Sequence, residues 1–216
     1  MKLRDIITEV PLPGDWDSSA YTKEKSFASR VRYATARAKK IGTGSSRVAF
    51  EIEYKGRPTI LKIAKNKKGM AQNEYEIQML GDWYVKGLNI TIPIIDSDEI
   101  DEDNPTWLHT EKADKMTPTV FKSHMGGLGG QAGYDLENFI KWSVGRRKDP
   151  PNDMSKEEAQ KLLEDNKTLY ALMDFAGNFD IVVGDLARRS NWGLYKGKPV
   201  LVDVGGSSEV LQTYYQ

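Results

Sequence analysis

Several groups of residues in this sequence have types and spacings that suit chemistry. Lys62 sits inside the apolar run Ile60-Leu61-Lys62-Ile63-Ala64. An ammonium on the inner face of a strand is costly unless it meets an anion. Lys62 shares its alternating face with Ile60 and Ala64, so phosphate oxygens or a carboxylate are its expected partners. Glu74 follows on a helix predicted over 69–81, on the side of Met70 and Ile77, with Glu76 as the alternate partner. Gly42-x-Gly44, followed by Ser45 and Ser46, opens a hairpin. Glycines there let a backbone approach phosphate oxygens and aim N–H groups at them. Finally, Gly184-Asp185-Leu186-Ala187-Arg188-Arg189-Ser190-Asn191 precedes a hairpin and then Asp203-Val204-Gly205. The Lys196-Gly197 turn lies midway between Asn191 and Asp203, so folding brings both to the hairpin's open end. A carboxylate and an amide oxygen there, with Asp185 close by, form an oxygen-rich site of Mg²⁺ type.

The elements that must position these groups are legible in outline. Val48, Phe50, Ile52 and Tyr54 alternate with Ala49, Glu51 and Glu53, which reads as a strand. Lys55-Gly56 makes a turn, and 59–64 returns as its partner. Strands are also expected over 90–95 and 106–110, around an acidic turn containing Asp96, Asp98, Glu99, Asp101, Glu102 and Asp103. Residues 125–133 are glycine-rich and read as a flexible loop. Residues 134–144 read as a helix. Ser155 and Glu158 form a capping box, starting one long helix with Ala159, Leu162, Asn166, Leu169, Met173 and Ala176 along one face. Short strands over 192–195 and 200–202 close the chain. The fold class is α+β: a strand-rich first half with one helix, then a mainly helical second half.

Composition bounds the rest. The 216 residues carry 31 basic and 31 acidic side chains, a formal net charge of zero, and no cysteine. Disulfides and Cys-based zinc sites are therefore excluded. With His109 and His124 the only histidines, any metal site rests mainly on oxygen ligands. No apolar run approaches the roughly 20 residues that span a bilayer, and the first residues lack a secretory apolar region. A cytoplasmic protein without membrane contact is expected. The zero charge resolves into local excesses. Residues 23–40 hold Lys23, Lys25, Arg30, Arg32, Arg37, Lys39 and Lys40, with Phe27, Val31, Ala34 and Ala38 on one helical face. This stretch reads either as an anion-binding surface, nucleic acid included, or as a packed helix with a solvated basic back; the second is favoured.

Taken in order, from about Ile41 to Gly205, these motifs resemble the protein kinase superfamily. The resemblance implies two lobes, with 1–40 as an N-terminal extension, 41–112 as the N-lobe and 113–216 as a reduced C-lobe. It implies that Gly42, Gly44, Ser45 and Ser46 cover the phosphates of ATP. Lys62 would hold the α- and β-phosphates and pair with Glu74, while Glu111 and Ala113 would sit in the hinge that meets adenine through backbone groups. Asp185 matches the catalytic-loop aspartate, and Asn191 and Asp203 match the Mg²⁺ ligands. The sequence also departs from the pattern. Ser46-Arg47 stands where an aromatic-glycine pair is usual, Gly184 replaces a histidine, and Asp185 to Asn191 is one position longer than usual. Little chain follows Asp203, so the extent resembles the small RIO-type and other atypical kinases, some of which are phage-encoded. The Gly-Asp-Leu triplet is similar to that of aminoglycoside and choline kinases.

Three functions follow as expectations. The first is an ATP- and Mg²⁺-dependent phosphotransferase acting on a protein Ser/Thr hydroxyl. The second is a nucleotide-binding pseudokinase or interaction module without turnover. The third is nucleic-acid binding through 23–40, which salt would weaken steeply.

Overall fold

The computed structural model describes residues 17–98, 105–129, 134–152 and 154–214. Most of the acidic turn, the end of the glycine-rich segment and the first residues of the N-terminal extension lie outside these. The chain divides into two compact units, Met1–Glu74 with Ile94–Lys112, and Tyr75–Pro93 with Ala113–Gln216. The architecture is α+β, with an antiparallel sheet in the first unit.

In the first unit, β1 (Lys39–Thr43), β2 (Arg47–Tyr54), β3 (Arg57–Ala64), β4 (Ile94–Ser97) and β5 (Trp107–Glu111) form a sheet of order β1-β2-β3-β5-β4. Opposed residues of an antiparallel pair share a face. Val48 faces Ile63, and Phe50 faces Leu61. These four are buried together with Ile52, Tyr21, Tyr33 and Ala34. The last three come from α1 (Ser18–Thr22) and α2 (Phe27–Thr35), which cover that face. The predicted basic helix is thus shorter than 23–40. Ser26 starts α2 with a capping box shared with Ser29, and Lys39 and Lys40 belong to β1. Its Val31 and Ala34 pack on the core, as does Ala38 beyond its end, while Arg32 is exposed.

The opposite face of the sheet presents Arg47, Ala49 and Lys62, with Ala49 opposite Lys62 and Arg47 opposite Ala64. The long helix α3 (Lys67–Gly81) begins in this unit. Asp98, expected in a solvated turn, is instead buried, and its Oδ2 accepts the Thr106 N–H at 2.9 Å.

His109 is buried in β5, its Nε2 2.7 Å from Thr59 Oγ1. The Thr59 hydroxyl donates to Ile52 O, so it accepts from His109 Nε2–H. Burial is the main cause that pushes the imidazole down to about 4; Arg57 adds to this and Asp96 opposes it. The native state therefore holds His109 neutral, while the unfolded chain takes up a proton near the ordinary value. Stability from this site is complete above that value and is lost as pH falls toward the folded one. Between about pH 7.5 and about 5.5 the loss should be about 1.4 kcal/mol. His109→Gln should flatten that part of a Tm-against-pH curve. An unchanged slope in the variant would refute the assignment.

The second unit holds α4 (Trp83–Leu88), α5 (Pro118–His124), α6 (Tyr134–Ser143), α7 (Lys156–Asp165), α8 (Lys167–Asn178), α9 (Val183–Ala187) and α10 (Ser208–Tyr214). A small sheet joins β6 (Asp114–Lys115), β7 (Trp192–Tyr195) and β8 (Lys198–Leu201). The expected capping box is present, with Ser155 N–H donating to Glu158 and Glu158 N–H to Ser155 Oγ. The single long helix is not. Asn166 has extended backbone and ends α7, and its side chain caps α8 by accepting the Leu169 N–H. The described start of the glycine-rich segment also departs from a flexible loop, since Met125 and Leu128 are buried. Among the described residues no helix is long and apolar enough to cross a membrane.

Candidate functional site

The chemistry-bearing residues of the second unit come together through the β7–β8 hairpin. Trp192 pairs with Leu201 and Tyr195 with Lys198, and Lys196 and Gly197 turn the chain with φ of 51° and 77°. One step beyond the ladder, Val202 N–H donates to Asn191 O at 2.8 Å. This sets Asn191 and Asp203 at the open end, as the midway turn predicts. Arg189–Asn191 form a 3-10 turn between α9 and β7. Trp192 Nε1 donates to Leu186 O at 2.7 Å, and Asn191 Nδ2 to Asp185 O at 3.0 Å. These bonds fasten α9, which carries Asp185, to the start of β7.

Asp203 is followed by a tight turn in which its Oδ1 accepts the Gly205 N–H at 2.9 Å. Gly205 has φ of 75° and packs directly on the Asp185 carboxyl, where a Cβ would collide with Oδ2. Asp185 is half-buried. Burial is the first cause that pushes its carboxyl above the ordinary range; the Arg188 guanidinium opposes this and the Asp203 carboxylate adds to it. Arg188 Nη1 stands 3.6 Å from Asp185 Oδ1 on a side chain 66% exposed, so the ion pair itself is worth at most about 1 kcal/mol. Arg188 was not singled out in the sequence, and its signal is only a cation three positions after a candidate base. Gly184 faces Glu137, which pairs with Lys141 at 2.5 Å.

This geometry suits a base and a cation site. Among the described residues no three His, Cys, Asp or Glu side chains cluster as metal ligands. The oxygen donors at the hairpin's open end are the Asp203 carboxylate and the Asn191 amide oxygen, with the Asp185 carboxyl close by. Such hard oxygen donors, completed by ligand oxygens and water, fit Mg²⁺ rather than a softer ion.

The remaining predicted residues belong to other elements. Gly42 and Thr43 end β1, and Gly44, Ser45 and Ser46 form the turn into β2, with Ser45 exposed and Ser46 buried. Lys62 is 8% exposed and is engaged, as are Glu74 and Glu76. The buried stripe of α3 runs through Gly69, Gln72, Asn73, Glu76, Met79 and Leu80, while Met70, Glu74 and Ile77 are half-buried. Apolar periodicity misplaces this face because polar side chains, Gln72 and Asn73, anchor it. Ser46 Oγ donates to Gln72 Oε1, and Asn73 Nδ2 donates to Pro105 O at 3.0 Å. Glu111 is buried and held by Arg57 at 2.5 Å, and Glu51 takes Lys112 at 2.5 Å. Ala113 packs on Gly193, where a side chain would collide with its methyl group.

No family model and no curated protein matches the chain. Among solved structures, the chain is similar to the aminoglycoside phosphotransferase APH(4)-Ia at 12% identity and a TM-score of 0.34, covering 78% of this chain and 66% of that one. It is similar also to the apo form of a thermostable mutant of that enzyme, at 12% identity and a TM-score of 0.33, covering 81% of this chain and 69% of that one. The chain thus spans just under two thirds of the first of these, at 66% of its length.

Proposed function

We propose that this protein is an ATP- and Mg²⁺-dependent phosphotransferase of protein kinase-like fold, acting on a protein Ser/Thr hydroxyl. The observation that carries the reading is the packing of Asp185 against Gly205. It places a carboxyl with raised proton affinity beside a second acid, Asp203, whose turn is fixed by its own hydrogen bond. In this reading Asp185 orients the acceptor hydroxyl and takes its proton. Asp203 and Asn191 hold Mg²⁺, which when bound neutralises charge on the phosphates. Lys62 holds the α- and β-phosphates, with the α3 carboxylate as its counter-ion. That acid is Glu74 by the resemblance, while Glu76 is the fully buried one, at 0% exposed. Gly42, Gly44, Ser45 and Ser46 border the phosphates, and Glu111 and Ala113 meet the base through backbone groups. Phosphoryl transfer asks for positioning and charge neutralisation more than for covalent chemistry, which is what such residues supply.

A second reading is nucleotide binding without turnover. The shifted spacing from Asp185 to Asn191 and the Ser46-Arg47 pair in the glycine loop motivate it. Binding through 23–40 remains the weaker alternative: Val31, Tyr33, Ala34 and Ala38 pack on the sheet, while Lys23, Lys25, Arg32, Lys39 and Lys40 are exposed.

Melting temperatures with ATP alone, ATP with Mg²⁺ and ATP with chelator test the proposal. Saturation at about 100 times Kd adds roughly 2.7 kcal/mol, or about 5–11 °C at about 2–4 °C per kcal/mol. Asp203→Ala should remove the Mg²⁺-dependent part. No shift under any condition would sink both nucleotide readings, and a shift without turnover on protein acceptors would favour the second.

A further inference from the structure

Ser46 and Arg47 stand where the kinase pattern has an aromatic residue and a glycine, and both side chains are buried, at 5% and 7% exposed. A buried hydroxyl and a buried guanidinium need partners. They find them on successive residues of α3. Ser46 Oγ donates to Gln72 Oε1, and Arg47 Nη1 donates to Asn73 Oδ1 at 3.3 Å. Asn73, fully buried, donates onward to Pro105 O at 3.0 Å. The contact continues through Lys65 and Asn66, which lead into α3, and through Lys68 in its first turn. Lys65 N–H donates to Ser46 O at 2.7 Å, Lys65 Nζ to Gly44 O at 2.8 Å, Asn66 Nδ2 to Ser45 O at 3.4 Å, and Lys68 Nζ to Ser45 Oγ at 3.3 Å. Gly69 completes the fit, because a Cβ there would collide with Ser46 O and crowd Ala64. A glycine is needed at this helix position for close approach, not for its φ.

We propose that the glycine loop 42–47 is latched to α3, so that loop and helix move as one body and the loop's position sets that of the α3 carboxylates. Every residue from Gly44 to Arg47 is tied to the segment 65–73 through its side chain or its carbonyl. A loop held this way is already ordered when a phosphate arrives, so less freedom is lost on binding. The same bonds give α3 a means of sensing whether the loop is occupied: Glu76 lies one helical turn beyond the Gln72-Asn73 anchor. Arg47, Gln72 and Asn73 are positioning residues in this scheme. The proposal deepens the nucleotide reading, and only its ligand arm rests on it.

Hydrogen exchange of the full chain, read by peptide mass spectrometry, tests the latch. Gln72→Ala alters the helix only, yet loop amides 44–47 should exchange about tenfold faster, the loss expected for one good hydrogen bond. The hairpin 192–202 should stay unchanged. Loop exchange within about twofold of wild type would overturn the latch. If Gln72→Ala does not fold, Ser46→Ala is read from the other side, at amides 69–73, by the same criterion. In the ligand arm, a non-hydrolysable ATP analogue with Mg²⁺ should protect loop and α3 together in the wild type. Protection of the loop alone would also overturn the latch. Protection of neither segment would count against the nucleotide reading, and the substitution arm would then decide the latch by itself.

Discussion

Asp185→Asn is expected to lower phosphoryl transfer by about 10²–10⁴-fold, the usual contribution of a positioned base, and to leave the fold and the Mg²⁺–ATP shift intact. The substitution is nearly isosteric, and the bonds that fasten α9 do not involve the carboxyl. Asn191 Nδ2 binds Asp185 through its backbone oxygen, and Trp192 binds Leu186 O. The carboxyl's own contacts are the Gly205 backbone and an exposed arginine. Since burial disfavours the charged form of Asp185, removing the charge should keep Tm the same or raise it. Turnover and Tm, measured on one preparation with and without Mg²⁺–ATP, separate the roles. Retained turnover would exclude Asp185 as the base. A lost nucleotide shift would mean that Asp185 holds the ligand rather than the acceptor proton.

The sequence exposes those parts of this site that local signals govern. The β7–β8 hairpin is readable because Lys196-Gly197 is a strong turn and the flanking apolar residues are few and short. The capping box at Ser155 is readable because it needs only two side chains at fixed spacing. Three features escape, the first two because a polar side chain outweighs apolar periodicity. Asn166 shares the helical stripe with Leu162 and Leu169, so the pattern runs through it, yet its side chain caps α8. The Met70–Ile77 side of α3 looks like the inner face, but Gln72 finds a partner in the turn before β2, and Asn73 finds partners on β2 and at Pro105, which turns the helix. Glycine content suggests mobility at 125–129, while Met125 and Leu128 anchor that stretch by burial. The departure at Ser46-Arg47 reads as a weakness in the sequence. In the structure it supplies the contacts of the loop to α3, which only three-dimensional pairing can reveal.

Gly205→Ala should be the most damaging single methyl group in the second unit. Two costs add. The left-handed φ of 75° penalises any residue with a Cβ by about 1 kcal/mol. The new Cβ would also collide with Asp185 Oδ2 and crowd its Cγ, and neither group can withdraw freely. Asp185 is held on a short helix bonded to β7, and Gly205 is held by its N–H to Asp203 Oδ1. Relief must therefore displace Asp185, Asp203 or both, and a misplacement of about 1 Å at a reacting group costs on the order of 10²-fold in rate. The expected result is turnover reduced by at least about that factor, together with loss of the Mg²⁺-dependent part of the nucleotide shift. Gly197→Ala is the control. That glycine has a similar φ of 77° with nothing within 4 Å of the added Cβ, so it shares the backbone cost without the collision. It should lose stability and keep turnover. Equal effects of the two variants on turnover would show that backbone strain alone is felt and that Asp185 does not depend on Gly205 for its position.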